Sequence, residues 1–267
     1  MTKLQSNLLK IGAVVTYLVM ITVNSLANSL PLNGLTTGAV SNAYSNLFAP
    51  AGITFSIWGL IYVLLAVYLV FQFIPQAKGG LKRELVDKIN PYFIATSLLN
   101  TAWIFAWHYN FIGVSLILMV LLLISLIKIA TKFRLEKLSI RENLAARLPF
   151  SIYFGWITVA TIANTTVFLV SLGWNGFGLS NEFWLVLVLL IGAAIGIWRM
   201  NKERDHFYGL VFIWAYLGIL YKHLTSSGFS GQYHYGIGAT ILCLVALAAS
   251  QFLLARTIKK LKRGASS

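Results

Sequence analysis

Apolar residues in this chain fall in long unbroken stretches rather than in alternation. Eight stretches each approach the roughly 20 residues that a helix needs to cross hydrocarbon: 8–28, 50–74, 91–109, 111–132, 145–172, 182–200, 206–224 and 236–256. Lipid offers no partner to a free backbone N–H or C=O, so each stretch is expected to be helical. The third and fourth are separated only by His108-Tyr109-Asn110, which predicts a tight helical hairpin. Pro50 and Pro91 are expected in the first turns of their spans, where a missing N–H costs little, and Pro75 is expected to stop the second span. The long segment 29–49 carries no charge and is rich in Asn, Ser, Thr and Gly. It reads equally as a solvated loop or as a lid over a pocket. The stretch "LKRELVDKI" (81–89) reads as a short amphipathic helix lying at the interface. Lys3 and Lys10, the apolar run after them and Ser25-Leu26-Ala27 also have the layout of a cleavable signal peptide. A retained first helix is the preferred reading.

Composition sharpens the class. The 267 residues are 58% hydrophobic and 10% charged, where soluble domains carry about a quarter charged residues. The expected fold class is therefore an all-α polytopic membrane protein with eight transmembrane helices. A net charge of +14 raises the question of nucleic acid, but the positions of the charges answer it. All 21 lysines and arginines except Lys222 fall in segments that an eight-span reading places on one side. That bias predicts cytoplasmic termini in a bacterial-type cytoplasmic membrane, with the basic face against anionic lipid and no nucleic-acid partner. The single cysteine, Cys243, lies in an apolar run and can form no internal disulfide.

No Asp, Glu, Lys or Arg is expected deep within any span, whereas ion-coupled transport usually needs buried ionisable groups. No catalytic or metal-binding constellation is visible, so the chain is read as a non-enzyme with no required cofactor. His108 reads as a capping or interfacial residue rather than a haem ligand. Interior polarity comes instead from neutral amides, threonines and indoles. Trp174, Trp184 and Trp198 sit at span ends and read as interfacial belt; Trp58, Trp156 and Trp214 are too deep for that. At 1.5 Å per residue, Trp58, Asn100 and Asn164 lie at a shared depth, roughly 12–14 Å from one surface. Trp156, Ala160 and Asn164 recur at i, i+4, i+8 and share a helix face, and Asn100, Trp103 and Trp107 nearly do. Two readings fit this pattern: an aromatic cavity floored by amides, or polar glue between helices.

Three motifs in this order resemble the TspO/MBR family, the tryptophan-rich sensory proteins related to the mitochondrial translocator protein. They are "FAPAGITFSIWGLIYVLL" (48–65) with Trp58 and Tyr62, "LLNTAWIFAW" (98–107) with Asn100 and Trp103, and "WITVATIAN" (156–164). The resemblance covers about residues 8–172. It implies a five-helix bundle (1–175) whose pocket lies under the first outer loop, followed by three added helices and a basic tail (176–267) without counterpart in short relatives. It also implies binding of porphyrins, haem-like tetrapyrroles or other flat, largely apolar molecules. Carried over by motif, the ligand-binding candidates are Trp58, Asn100, Trp103, Trp156, Ala160 and Asn164, with Pro50 and Gly52 shaping the lid junction. The implied role is a membrane receptor, sensor or carrier; the alternatives are a facilitative transporter or a weak tetrapyrrole-degrading enzyme. The family's proposed cholesterol motif is absent, so sterol binding is not expected. "GAAIG" (192–196) suits close helix packing within the chain, and the oligomeric state stays open.

Overall fold

The apolar stretches are long enough to bury one another, and in the computed structural model they do so as helices. The structure describes residues 1–30 and 32–264, with side chains as far as Lys260. Ten helices follow in order: α1 (Lys3–Ser29), α2 (Thr37–Ala43), α3 (Ile57–Phe71), α4 (Arg83–His108), α5 (Ile112–Arg134), the single turn α6 (Ile140–Glu142), α7 (Leu148–Ser171), α8 (Asn181–Glu203), α9 (His206–Leu224) and α10 (His234–Gly264). No strand occurs among the described residues. The side chains of Lys262 and Arg263, part of the expected basic tail, lie outside the described residues.

Seven segments among the described residues are long and apolar enough to cross a membrane: α1, Gly52–Phe71, α5, Ile140–Ser171, α8, α9 and His234–Lys260. The protein is a multi-pass integral membrane protein with these seven candidate spans. The expected span 91–109 is not among them. It belongs to α4, whose 26 residues reach about 39 Å, so length is not the reason. Charged residues in its first turns, then Asn90, Thr96, Ser97, Asn100 and Thr101, dilute its hydropathy. α4 nevertheless runs the full height of the bundle, packed between α1 and α5.

Two further expectations are corrected here. Residues 81–89 form no separate interfacial helix; most of them are the first turns of α4, and Pro91 lies well inside that helix. Proline removes one helical N–H and disfavours helix in the residue before it. Tertiary bonds hold that residue in place: the Tyr68 hydroxyl donates to Asn90 Oδ1 at 2.8 Å, and Asn90 Nδ2 donates to Gln72 Oε1 at 2.8 Å. Pro50, in turn, precedes a 3-10 turn (Gly52–Ser56) rather than opening an α-helix.

The bundle has two chemically distinct ends. At the basic end, Lys82 pairs with Glu136 (3.1 Å), Arg134 with Glu203 (3.2 Å), and Arg147 donates to the Glu203 carbonyl (2.9 Å). At the other end lies α2, with Lys222 alone donating to Asn42 Oδ1 at 3.2 Å. The helices after residue 175 dock on the preceding bundle through α9. Trp214 Nε1 donates to the Thr54 carbonyl (2.9 Å), and Ala51 N–H donates to the Gly218 carbonyl (3.1 Å). "GAAIG" works within the chain: Gly192 meets the Tyr216 hydroxyl and Gly196 the Phe212 ring, so α8 and α9 approach closely.

Candidate functional site

Residues 32–49, called the lid below, fold around the short helix α2 against the end of α4. Thr36 caps α2, its hydroxyl accepting from Ala39 N–H at 3.3 Å. The uncharged polar residues around it then tie the lid to the end of α4. Trp107 Nε1 donates to the Thr37 carbonyl (3.1 Å), Asn33 Nδ2 to the His108 carbonyl (3.0 Å), and the Tyr44 hydroxyl to Asn110 Oδ1 (3.3 Å). Both ring nitrogens of His108 face protein partners, Nδ1 the Ile104 carbonyl at 2.8 Å and Nε2 the Thr37 hydroxyl at 3.5 Å. Those partners fit the capping role expected of it.

Under the lid is an aromatic cluster centred on Trp58. Its ring lies 5.6 Å from Tyr62 (stacked), 6.3 Å from Trp103, 5.9 Å from Tyr153 and 6.3 Å from Trp156. Trp103 stacks on Trp107 at 5.6 Å, and Phe55 meets Trp156 edge-on at 5.9 Å. A cavity of about 40 Å³ remains between these rings. Of the residues expected from sequence, Pro50, Trp58, Trp103, Trp156, Ala160 and Asn164 line it. Ser41 of the lid, Phe55 and Trp107 complete the wall facing α7. Ala160 and Asn164 reach the same cavity as Trp156 because a helix repeats its face every three to four residues.

Three hydrogen-bond donors in this wall find no partner within the protein: Trp103 Nε1, Trp156 Nε1 and Asn164 Nδ2. Their residues are only 5%, 2% and 2% exposed. The Asn164 carbonyl oxygen lies 3.2 Å from Ser115 Oγ, whose single hydrogen also reaches the Ile112 carbonyl at 2.8 Å. A buried donor without an acceptor costs about 1–3 kcal/mol. All three residues line the same cavity.

Two expected residues are not brought to the cavity. Asn100 is wholly buried, but its amide is spent on protein: it accepts from Asn24 Nδ2 at 2.7 Å and donates to the Tyr153 hydroxyl at 3.3 Å. Gly52 opens on a different, shallower hollow beside Tyr221 and Lys222. Trp214, expected at depth, is 39% exposed and serves as the clasp to Thr54. Sequence reasoning missed Phe55 and the lid's Ser41. Phe55 precedes Trp58 by three residues and could have been found from helical spacing, whereas Ser41 carried no signal.

Sequence reasoning also missed a larger hollow, about 340 Å³, on the other flank of α7 between α8 and loop 44–48. Trp174 and Trp184, expected as interfacial belt, line it. Small-molecule sites usually measure about 300–1,000 Å³, so a tetrapyrrole does not fit the 40 Å³ cavity in its closed form. Among the described residues no group of three or more His, Cys, Asp or Glu could hold a metal ion.

These features define a class: an all-helical, multi-pass membrane protein with an indole- and amide-lined cavity beneath a short lid helix. The family model for TSPO-like protein matches residues 10–255, and the chain belongs to that family. The match runs well past residue 172, where the three motifs end, and takes in α8, α9 and most of α10. Those helices therefore lie within the extent of the family model rather than outside it. No curated protein and no solved structure matches the chain.

Proposed function

We propose that this protein is a membrane receptor or carrier for a flat, largely apolar ligand bearing hydrogen-bond acceptors, tetrapyrrole-like in shape. The three unpartnered donors on the aromatic cavity carry this reading. Indole faces of Trp58 and Trp103, 33° apart, stack on the ligand's plane, while Trp156 Nε1, its ring 86° from Trp58, and Asn164 Nδ2 donate to its polar edge. The closed cavity admits the ligand only after α2 lifts and carries Ser41 away. In this reading α4 is an eighth span, buried by its neighbours and therefore free to carry polar groups. An even span count places the basic end and both termini in the cytoplasm and the lid outside. The basic end then meets anionic lipid. Binding needs no cofactor.

Titrating the purified protein in nanodiscs with a dicarboxylic porphyrin tests the site. Saturable quenching of tryptophan fluorescence is expected, with affinity reduced about tenfold or more in Asn164→Leu and in Trp156→Leu, the loss expected for one or two ligand contacts. Wild-type affinity in both variants would falsify the assignment. The lid makes a separate kinetic prediction. Trp107→Phe removes the indole N–H that holds the Thr37 carbonyl while keeping an aromatic ring. Association measured by stopped-flow quenching is expected to accelerate several-fold, about what one hydrogen bond contributes. An unchanged rate would mean that α2 does not gate the cavity.

A further inference from the structure

The 340 Å³ hollow beside α7 differs in hydrogen-bonding character from the cavity under the lid. Its body is apolar: Ile162 and Leu169 from α7 and Leu185 and Val188 from α8 form the walls, and Trp174 meets Trp184 edge-on at 4.7 Å. Several of its polar groups spend a donor on the protein. The Thr165 hydroxyl donates to the Thr161 carbonyl (2.8 Å), Thr166 to the Ala163 carbonyl (2.7 Å), Asn46 Nδ2 to the Tyr44 carbonyl (2.9 Å) and Trp184 Nε1 to the Gly176 carbonyl (2.9 Å). What remains are lone pairs on the two threonine hydroxyls, the second amide hydrogen of Asn46 and the Trp174 indole N–H, while Asn46 Oδ1 already accepts from Ala49 N–H at 2.8 Å. Thr166 Oγ1 and Asn46 Oδ1 stand 3.5 Å apart, so one donor can reach both. The exposed Ser45 and Asn181 and the half-buried Tyr233 complete the polar part and can donate or accept. No Asp, Glu, Lys or Arg lines the hollow, so nothing there would balance a charged guest.

We propose that this hollow is a second ligand site, for an uncharged amphiphile whose apolar body lies along α7 and α8 and whose hydroxyl donates to Thr166 and Asn46. A polar edge of mixed donors and acceptors suits a hydroxyl, which does both, and the absence of charge selects an alcohol over an ammonium or a carboxylate. The volume falls at the lower end of small-molecule sites and needs no lid movement to be filled. α7 forms a wall of both sites, with Ala160 and Asn164 on one flank and Ile162 and Thr166 on the other.

Quenching by ω-bromododecanol in nanodiscs tests the proposal, because bromine quenches indoles at contact and Trp174 and Trp184 lie in the wall. Saturable quenching is expected, absent in the Trp174→Phe/Trp184→Phe double variant. Loss of the hydroxyl contact is expected to weaken binding about tenfold, in bromododecane as ligand or in Thr166→Val. Val188→Phe fills the hollow and is expected to abolish saturation while leaving porphyrin quenching under the lid as in wild type. Quenching that rises linearly with membrane loading, alike for alcohol, alkane and ω-bromododecanoate, would mean simple partition and overturn the site. Saturation equal for alcohol and alkane would make it a groove for lipid chains and overturn the hydroxyl role. Should Val188→Phe fail to fold, the near-isosteric Thr166→Val decides.

Discussion

Replacing Gly218 with valine is expected to lower the melting temperature of the protein by roughly 4–8 °C, from about 2 kcal/mol of overpacking. The reason is local. A Cβ built on Gly218 collides with the Thr54 hydroxyl and comes within 2.7 Å of Thr54 Cγ2 and 2.9 Å of Thr54 Cβ. Thr54 cannot retreat easily, because it is 1% exposed and its carbonyl is held by Trp214 Nε1 at 2.9 Å. Nor can α9, whose Gly218 carbonyl accepts from Ala51 N–H at 3.1 Å. The strained contact also sits one residue from Phe55, which lines the cavity, so porphyrin affinity is expected to fall with stability. Thr54→Ala alone is expected to be nearly silent, since the Thr54 hydroxyl is buried without a partner. Combined with Gly218→Ala, it is expected to recover most of what Gly218→Ala loses. Thermal melts of the four proteins in one detergent measure this cycle. A Gly218→Val protein as stable as wild type would mean that α9 does not dock through this contact.

Asn100→Leu is expected to separate stability from binding. The substitution removes an amide that accepts from Asn24 and donates to Tyr153 across three helices. Side-chain hydrogen bonds within membranes average about 0.6 kcal/mol and reach about 1.7. Groups left unpaired in the core add about 1–3 kcal/mol more. A drop of about 2–4 kcal/mol in stability is expected, with porphyrin affinity within about twofold of wild type, since Asn100 does not face the cavity. Asn164→Leu should do the reverse: it loses a ligand contact but relieves an unpaired amide nitrogen. Melting temperatures and quenching titrations on the same samples distinguish the two asparagines. A large affinity loss in Asn100→Leu at unchanged stability would place its amide on the ligand.

Two buried asparagines on comparable motifs thus have different roles, and the motif pattern alone could not separate them. Both stand at the same depth with tryptophans at helical spacing. Asn100 differs because Asn24, 76 residues away in the chain, and Tyr153, 53 residues away, arrive beside it. Asn164 has only Ser115 Oγ within reach of its oxygen, at 3.2 Å, and its nitrogen has no partner. The same limit explains Trp174 and Trp184. Their position at span ends suggested an interfacial belt, yet the turn through Gly176 folds them against each other on a hollow that α7 and α8 create together.

What could be read from the chain alone was whatever depends on neighbours in sequence. Hydropathy is a local sum, so the membrane class and seven spans were legible. Helical periodicity is local too, so Trp156, Ala160 and Asn164 could be assigned to one face. Tertiary structure decided which polar groups satisfy one another and which are left unpaired. It also kept α4 in the bundle despite its polarity, and it turned an uncharged loop into a lid. Those outcomes depend on distances between residues far apart in the chain, and no local pattern of apolar and polar positions encodes such distances.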